Sequence, residues 1–328
     1  MRALVIKLSS LGDLFHALPA VARLQEATGA NVDWVTNTAY ASLVSKFAPV
    51  NNVIGFPRHH FFSRAGTFAR ALRAERYDLV IDMQGLLKSA LTARLARGGR
   101  VIGPSFHREG AHLFYSEITG PRNKERHAVE ENLDLLDHLG IGRAEPAFPV
   151  VFEKPTNLPT GLRIGLLPCS RWNTKNWPPE HFASVARTLS ESASVYLFGA
   201  PEDREVCRHI VASAGSGVTD LCAKTSLVEL GGWLAAMDLV VTVDSGPMHM
   251  AAASGTPVLA IFGATDHRRT GPYGARSRVL YRDDLPCRPC LSRVCQLKGR
   301  DMRCLTGLRP ERVITAARDM LEQWPPVR

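Results

Sequence analysis

Asp244, Ser245, Gly246, Pro247 and His249 stand where the apolar run Leu239–Val243 gives way to Met248–Ser254, whose small side chains suit a short helix. Gly255-Thr256-Pro257 closes that helix, and Val258–Phe262 reads as a second buried strand. A strand that passes through a Gly-Pro turn into a helix leaves free backbone N–H groups at the carboxyl edge of a parallel sheet, an edge that favours phosphate. Asp244 and His249 flank that spot, where they could hold a ribose or a diphosphate. The same turn chemistry also fits an ordinary βαβ crossover with a capping aspartate.

A second loop of this kind opens the chain: Lys7-Leu8-Ser9-Ser10-Leu11-Gly12-Asp13 follows an apolar strand and leads into a helix. It is not Gly-x-Gly-x-x-Gly, so nothing supports a dinucleotide redox cofactor. Asp13 could take a proton from an acceptor hydroxyl; in the same place a carboxylate simply stabilises a helix N-terminus. The seven cysteines divide into two sets. Cys169, Cys207 and Cys222 are scattered and read as small buried residues. Cys287, Cys290, Cys295 and Cys304 form C-x2-C-x4-C-x8-C in a basic loop. In a chain without secretory signals that spacing favours a tetrahedral zinc or a single iron over disulfides, although the second Cys-x2-Cys of a zinc ribbon is missing. Free thiols are the other reading.

The elements that must position these residues follow from periodicity. Short apolar runs (3–7, 32–35, 77–81, 101–103, 163–167, 195–198, 239–243, 258–262) alternate with amphipathic stretches (13–27, 68–74, 85–95, 127–139, 180–190, 202–214, 226–237, 310–324). Such alternation predicts parallel sheets covered by helices on both faces. The Pro-rich stretch 143–161 reads as a linker, dividing the chain into an N-terminal domain, 1–155, and a C-terminal domain, 156–328, with ligands expected at the carboxyl edges. No apolar run approaches the ~20 residues of a membrane span, and the apolar part of the N-terminus is short for a signal peptide. A cytoplasmic location is expected. Net charge is +9, and residues 58–126 carry 13 Lys+Arg against 6 Asp+Glu, with His59, His60, His107 and His112 in the same stretch. A basic surface of this kind suits anionic lipid, a phosphorylated substrate or nucleic acid; the aromatic interleaving of a single-strand binder is missing, so nucleic acid is the weaker option. A solvated Arg-rich helix is the bland reading of part of it.

Taken together, the motifs resemble those of the ADP-heptose:lipopolysaccharide heptosyltransferases, glycosyltransferase family 9. The segments that carry the resemblance are Met1–Ala20, Asp82–Ala90, His127–Glu130, Trp177-Pro178 behind Lys175, Asp244–His249 and Phe262–Asp266, in order over nearly the whole chain. The resemblance implies an α/β GT-B fold of two Rossmann-like domains facing across a cleft, the first for the acceptor and the second for the sugar nucleotide. It implies Asp13 as catalytic base and Lys175 near the donor phosphates. Ser170, Asp244, Ser245, Gly246 and His249 would complete the ADP-heptose site, and Ser10, Gly12, Arg58, Gln84, Lys88 and Arg122 would meet the acceptor. Cys169 departs from the small polar residues of related enzymes. A cysteine cluster like that at 287–304 holds iron in some autotransporter heptosyltransferases, which suggests structural iron or zinc here.

The chemistry agrees. An inverting transfer needs one ionised carboxylate beside the acceptor oxygen, while a lysine and helix N–H groups stabilise the leaving ADP without a catalytic cofactor. The expected acceptor is an anionic glycolipid, the Kdo-lipid A inner core of lipopolysaccharide, met at the inner face of the inner membrane by a peripherally bound enzyme. Rival readings are a protein acceptor, a sugar-nucleotide epimerase on the same architecture, and a non-catalytic binder of anionic lipid or nucleic acid.

Overall fold

The computed structural model describes residues 1–58, 61–123, 125–299 and 301–326. The chain forms two compact units, Met1–Val151 and a second from Phe152 onward. The boundary falls within the Pro-rich stretch, and Phe152 and Glu153 go with the second unit because they pack against the helix Leu227–Ala235. A Cβ on Gly231 would stand 2.6 Å from the Phe152 ring, and one on Gly232 would stand 2.0 Å from the Glu153 carbonyl oxygen.

Each unit is built on a six-stranded sheet in which every pairing is parallel. In the first unit the strands are β1 (Arg2–Ile6), β2 (Asn31–Asn37), β3 (Val50–Phe56), β4 (Arg76–Asp82), β5 (Arg97–Pro104) and β6 (Glu117–Thr119), in the order β3-β2-β1-β4-β5-β6. In the second they are β7 (Leu162–Leu167), β8 (Ala193–Leu197), β9 (Val218–Asp220), β10 (Leu239–Val243), β11 (Val258–Ile261) and β12 (Ser277–Leu280), in the order β12-β11-β10-β7-β8-β9. Both orders reverse direction once, between β1 and β4 in one sheet and between β7 and β10 in the other. A parallel sheet opens a crevice for ligands at such a switch point.

The central strands are buried on both faces: Leu4, Val5 and Ile6 of β1, and Val240, Val241 and Val243 of β10, are inaccessible to water. Such strands read as continuous apolar runs. The first helix, Leu11–Thr28, buries Leu14, Leu18, Val21 and Leu24 at helical spacing and ends at Gly29, whose φ of +62° lets its N–H return to the Gln25 carbonyl at 2.8 Å. The C-terminal helix, Pro310–Gln323, packs Val313, Ala316, Ala317 and Met320 onto the core of the second unit. Four strands escape the periodicity reading: β3, β6, β9 and β12. Each lies near or at a sheet margin; β3 exposes Asn51 and Asn52, and β6 and β9 are only three residues long.

Candidate active site

In the first unit the crevice between β1 and β4 is organised by three polar side chains. Gln84, in the loop after β4, accepts hydrogen bonds through Oε1 from the backbone N–H groups of Leu8 and Ser9, both at 3.0 Å, and so pins the loop after β1. Asp82, at the end of β4, is buried and receives the N–H groups of Gln84 (2.8 Å) and Gly85 (3.1 Å) on Oδ1, and the hydroxyls of Ser89 (2.8 Å) and Tyr115 (2.7 Å) on Oδ2. Burial raises its pKa against those four donors. Lys7 is also buried; its ammonium donates to the Met83 carbonyl at 2.5 Å and lies 5.6 Å from the centre of the Phe106 ring. Burial lowers its pKa, while Asp13, Asp82 and Glu131 favour the charge.

On this scaffold Asp13 stands in the first turn of the first helix. Its Oδ2 accepts from the Ser10 N–H (2.7 Å) and the Ser10 hydroxyl (2.9 Å), and its Oδ1 lies 3.6 Å from Nδ1 of His16. Its side chain keeps 42% of its surface exposed. Loss of water in the loop works against the charge, but the His16 side chain, the Lys7 ammonium and the Ser10 N–H outweigh it, holding the carboxyl well below the usual carboxylate range. The capping and proton-accepting readings of this residue are therefore compatible in one geometry. His16 is buried, with its ring edge-on to His127 at 5.6 Å. Ser10, read from sequence as an acceptor contact, is tied to Asp13.

In the second unit the crevice between β7 and β10 gathers residues expected from sequence at the diphosphate. Lys175 Nζ pairs with Asp244 Oδ2 at 2.8 Å, with 18% and 5% of the two side chains exposed. The Thr265 hydroxyl donates to the same oxygen at 2.5 Å. Ser245 stands at the N-terminal boundary of the helix Gly246–Ala253, which places Pro247 in its first turn and buries His249. Lys175 also lies 4.9 Å from the centre of the Trp172 ring, and the Arg293 guanidinium lies 4.8 Å from it. The N–H of Ser170 is held by Asn176 Oδ1 at 2.7 Å. A lysine and a helix N-terminus at one carboxyl edge make a site for an anion.

Comparison with known proteins decides the family. The family model described as glycosyltransferase family 9 (heptosyltransferase) matches residues 65–300. The chain is 34% identical to lipopolysaccharide heptosyltransferase 1 of Escherichia coli, over 85% of this chain and 93% of that protein. This chain belongs to glycosyltransferase family 9. The Pseudomonas aeruginosa lipopolysaccharide heptosyltransferase 1 is 32% identical over 98% of both chains. The structure of E. coli heptosyltransferase WaaC with ADP superposes with a TM-score of 0.81 at 31% identity, covering 98% of this chain and all of that one. The fold is thus the α/β GT-B type, with two Rossmann-like units, and the chain is a glycosyltransferase of the heptosyltransferase family.

Within this family 9 enzyme, the two sets of cysteines differ in their surroundings. A zinc or iron site at Cys287, Cys290, Cys295 and Cys304 finds no support: among the described residues no group of three or more His, Cys, Asp or Glu is arranged to hold a metal ion. Cys287 and Cys290 are exposed, whereas Cys304 packs against the core, where burial and the other three thiols push it up to about 11. The loop is tied to Thr174 and to Gly263–Thr265 through bonds to main-chain carbonyls. Arg288 donates to the carbonyls of Gly263 (2.8 Å) and Thr265 (3.2 Å), Leu291 N–H to Ala264 O (2.9 Å), and Thr174 Oγ1 to Ser292 O (2.7 Å). Conversely, Cys169, Cys207 and Cys222 are not scattered. Cys207 interacts with both other thiols, and Cys207 and Cys222 Sγ each lie 2.9 Å from where a Cβ on Gly199 would stand.

Lys7, Trp172, Thr265, Arg288 and Arg293 are the residues that sequence reasoning missed. Their roles depend on partners brought close by the fold; Lys7 and Thr265 lie within motifs noted above, but nothing local marks what they contact. Of the basic stretch, Arg126 is spent on Asp134 (2.7 and 2.8 Å) and Arg100 on Glu117 (2.5 and 2.7 Å). Arg58, Lys88 and Arg122 are exposed and make no ion pair among the described residues. His59 and His60 lie outside the described residues. No helix among the described residues is long and apolar enough to cross a membrane.

Proposed function

We propose that this chain moves heptose from ADP-heptose to the inner core of lipopolysaccharide, on a Kdo-lipid A type acceptor, with inversion at the anomeric carbon. The second unit holds the donor: Lys175 and the N–H groups at Ser245 and Gly246 take the diphosphate, with Ser170, Asp244 and His249 around them. The first unit holds the acceptor, with Asp13 and Gly12 at the reacting hydroxyl and Arg58, Lys88 and Arg122 toward its phosphates and Kdo carboxylates. The acceptor oxygen bonds to the anomeric carbon, the bond from that carbon to the diphosphate oxygen breaks, and the hydroxyl proton passes to Asp13. Charge gathers on the departing ADP, where Lys175 and the helix N-terminus favour it. The enzyme works at the cytoplasmic face of the inner membrane, bound peripherally.

The observation that carries this reading is Asp13 itself: an ionised, part-exposed carboxylate fixed by Ser10 at the mouth of the first crevice. Its support from relatives is the lipopolysaccharide heptosyltransferase 1 proteins that align over nearly the whole chain. The test is release of ADP from ADP-heptose in the presence of a water-soluble Kdo-bearing acceptor. Acceptor-dependent release with a new glycosidic bond is expected. Turnover of the nucleotide sugar without acceptor would point to an epimerase or hydrolase instead.

A further inference from the structure

The helix Leu87–Leu95 is turned inside out relative to an ordinary surface helix. It buries Ser89, Ala90, Thr92 and Ala93 and presents Leu87, Leu91 and Leu95 to solvent at 38%, 44% and 46% exposure. Positions i, i+4 and i+8 fall in one stripe along a helix. The short turn Ala111–Phe114 packs against this helix and carries Leu113, the most exposed large apolar side chain of the described residues at 77%. The inward face explains the inversion: Ser89 is needed by Asp82, and small residues let the helix settle on β4 and β5.

The surroundings of the stripe are mainly basic, with one carboxylate, Glu109, accepting the Leu87 N–H at 3.2 Å. Lys88 and Arg94 are exposed on the same helix, Arg97 follows it, and Arg73 donates to the Leu95 carbonyl at 3.5 Å, which places its guanidinium beside the end of the stripe. Arg108 is exposed and joined by its backbone N–H to the Gly85 carbonyl at 2.8 Å, at the other end. An exposed apolar stripe flanked mainly by cations matches a surface that is anionic outside and apolar just beneath.

We propose that the outward face of the helix Leu87–Leu95, with Leu113 beside it, docks this enzyme on an anionic lipid bilayer. Its purpose rests on the reading of a lipid-linked acceptor: the loop before this helix carries Gln84, which pins the Asp13 loop, so docking here brings the bilayer to the acceptor crevice. The leucines enter the boundary between headgroups and acyl chains, while Lys88, Arg94 and Arg73 stay at the phosphates. A second copy of the chain would not need the cationic rim, since two such faces would repel one another.

The test uses the full chain with vesicles of phosphatidylglycerol and phosphatidylethanolamine that contain no acceptor, so binding is read apart from transfer. Wild type should co-sediment with these vesicles far better than with phosphatidylcholine vesicles, and less as salt rises. The triple variant Leu87→Gln, Leu91→Gln, Leu95→Gln should bind at least about tenfold more weakly yet retain wild-type ADP affinity. Hydrogen exchange in 87–95 of the wild type should slow when vesicles are added. Failure of wild type to bind, equal binding by the triple variant, or a dimer in solution that the triple variant dissolves would overturn the proposal.

Discussion

In the first unit the loop after the leading strand carries a carboxylate, Asp13, held below its ordinary pKa by its own helix turn and by Lys7. In the second unit the equivalent loop, after β7, carries a lysine, Lys175, paired with Asp244 from the neighbouring strand end. The strand order is the same in both sheets, and each crevice opens at the same topological point. The scaffold therefore decides where a ligand sits, and the side chains at each switch point decide what it is. A carboxylate crevice suits a hydroxyl that must lose a proton; a cationic crevice with a helix N-terminus suits a leaving diphosphate. The two lysines show how far context reaches. Lys7 is buried on a carbonyl and braces the carboxylate's loop, whereas Lys175 shares its carboxylate with Thr265 and keeps some contact with water.

If the division of labour is right, the largest effect comes from the base. Asp13→Asn should lower kcat by ~10²–10⁴-fold, measured as acceptor-dependent ADP release. Near wild-type turnover would reduce Asp13 to a helix cap. Lys175→Ala should weaken ADP by about tenfold to a hundredfold, the loss of one charge-assisted contact. It should also lower stability by up to ~3 kcal/mol, because a nearly buried Asp244 loses its partner; ADP titration and thermal unfolding read the two effects separately.

Gln84→Met sharpens the comparison by leaving the Asp13 loop without its pin. Two backbone N–H groups lose their acceptor, each costing about 1–3 kcal/mol where water cannot replace it. Turnover should fall with ADP affinity unchanged. Neutralising Arg58, Arg64 and Arg122 together should raise the acceptor KM several-fold and flatten its salt dependence, a screened surface effect of about 1 kcal/mol per charge or less. An unchanged KM at low and high salt would make these arginines a solvated face.

The smallest effect concerns pH. Asp13 has its pKa lowered, so it stays ionised above the ordinary carboxylate value and is protonated only below it. The pH profile of kcat/KM should therefore show no acid limb from Asp13 above pH ~4. An acid limb near pH 5 to 6 that vanishes in Asp13→Asn would contradict the bracing by Lys7 and Ser10.

What could be read without coordinates was whatever is local in sequence. Runs such as Leu239–Val243 announce buried parallel strands, and the turns at Ser10–Asp13 and Asp244–Gly246 sit between a strand and a helix that each declare themselves. The marginal strands were hidden because strands such as β3 mix exposed Asn51 and Asn52 with apolar neighbours. The site was legible at Asp13, Lys175, Asp244 and Ser245, whose motifs are contiguous. It was not legible at Lys7, whose partner Met83 lies 76 residues away, nor at Thr174, joined to Ser292 across 118. Cysteine spacing did not show that Cys304 alone of the 287–304 set packs on the core, nor that Cys207 and Cys222 meet beside Gly199.

The central claim is that the donor diphosphate belongs to the second unit and proton transfer to the first. Calorimetric titration of ADP into wild type, Asp13→Asn and Asp244→Asn tests it most directly. The account predicts an ADP affinity within about twofold of wild type for Asp13→Asn and a clear loss for Asp244→Asn, where Lys175 and the turn at Ser245 lose their anchor. A loss of ADP binding in Asp13→Asn, with Asp244→Asn unaffected, would contradict it.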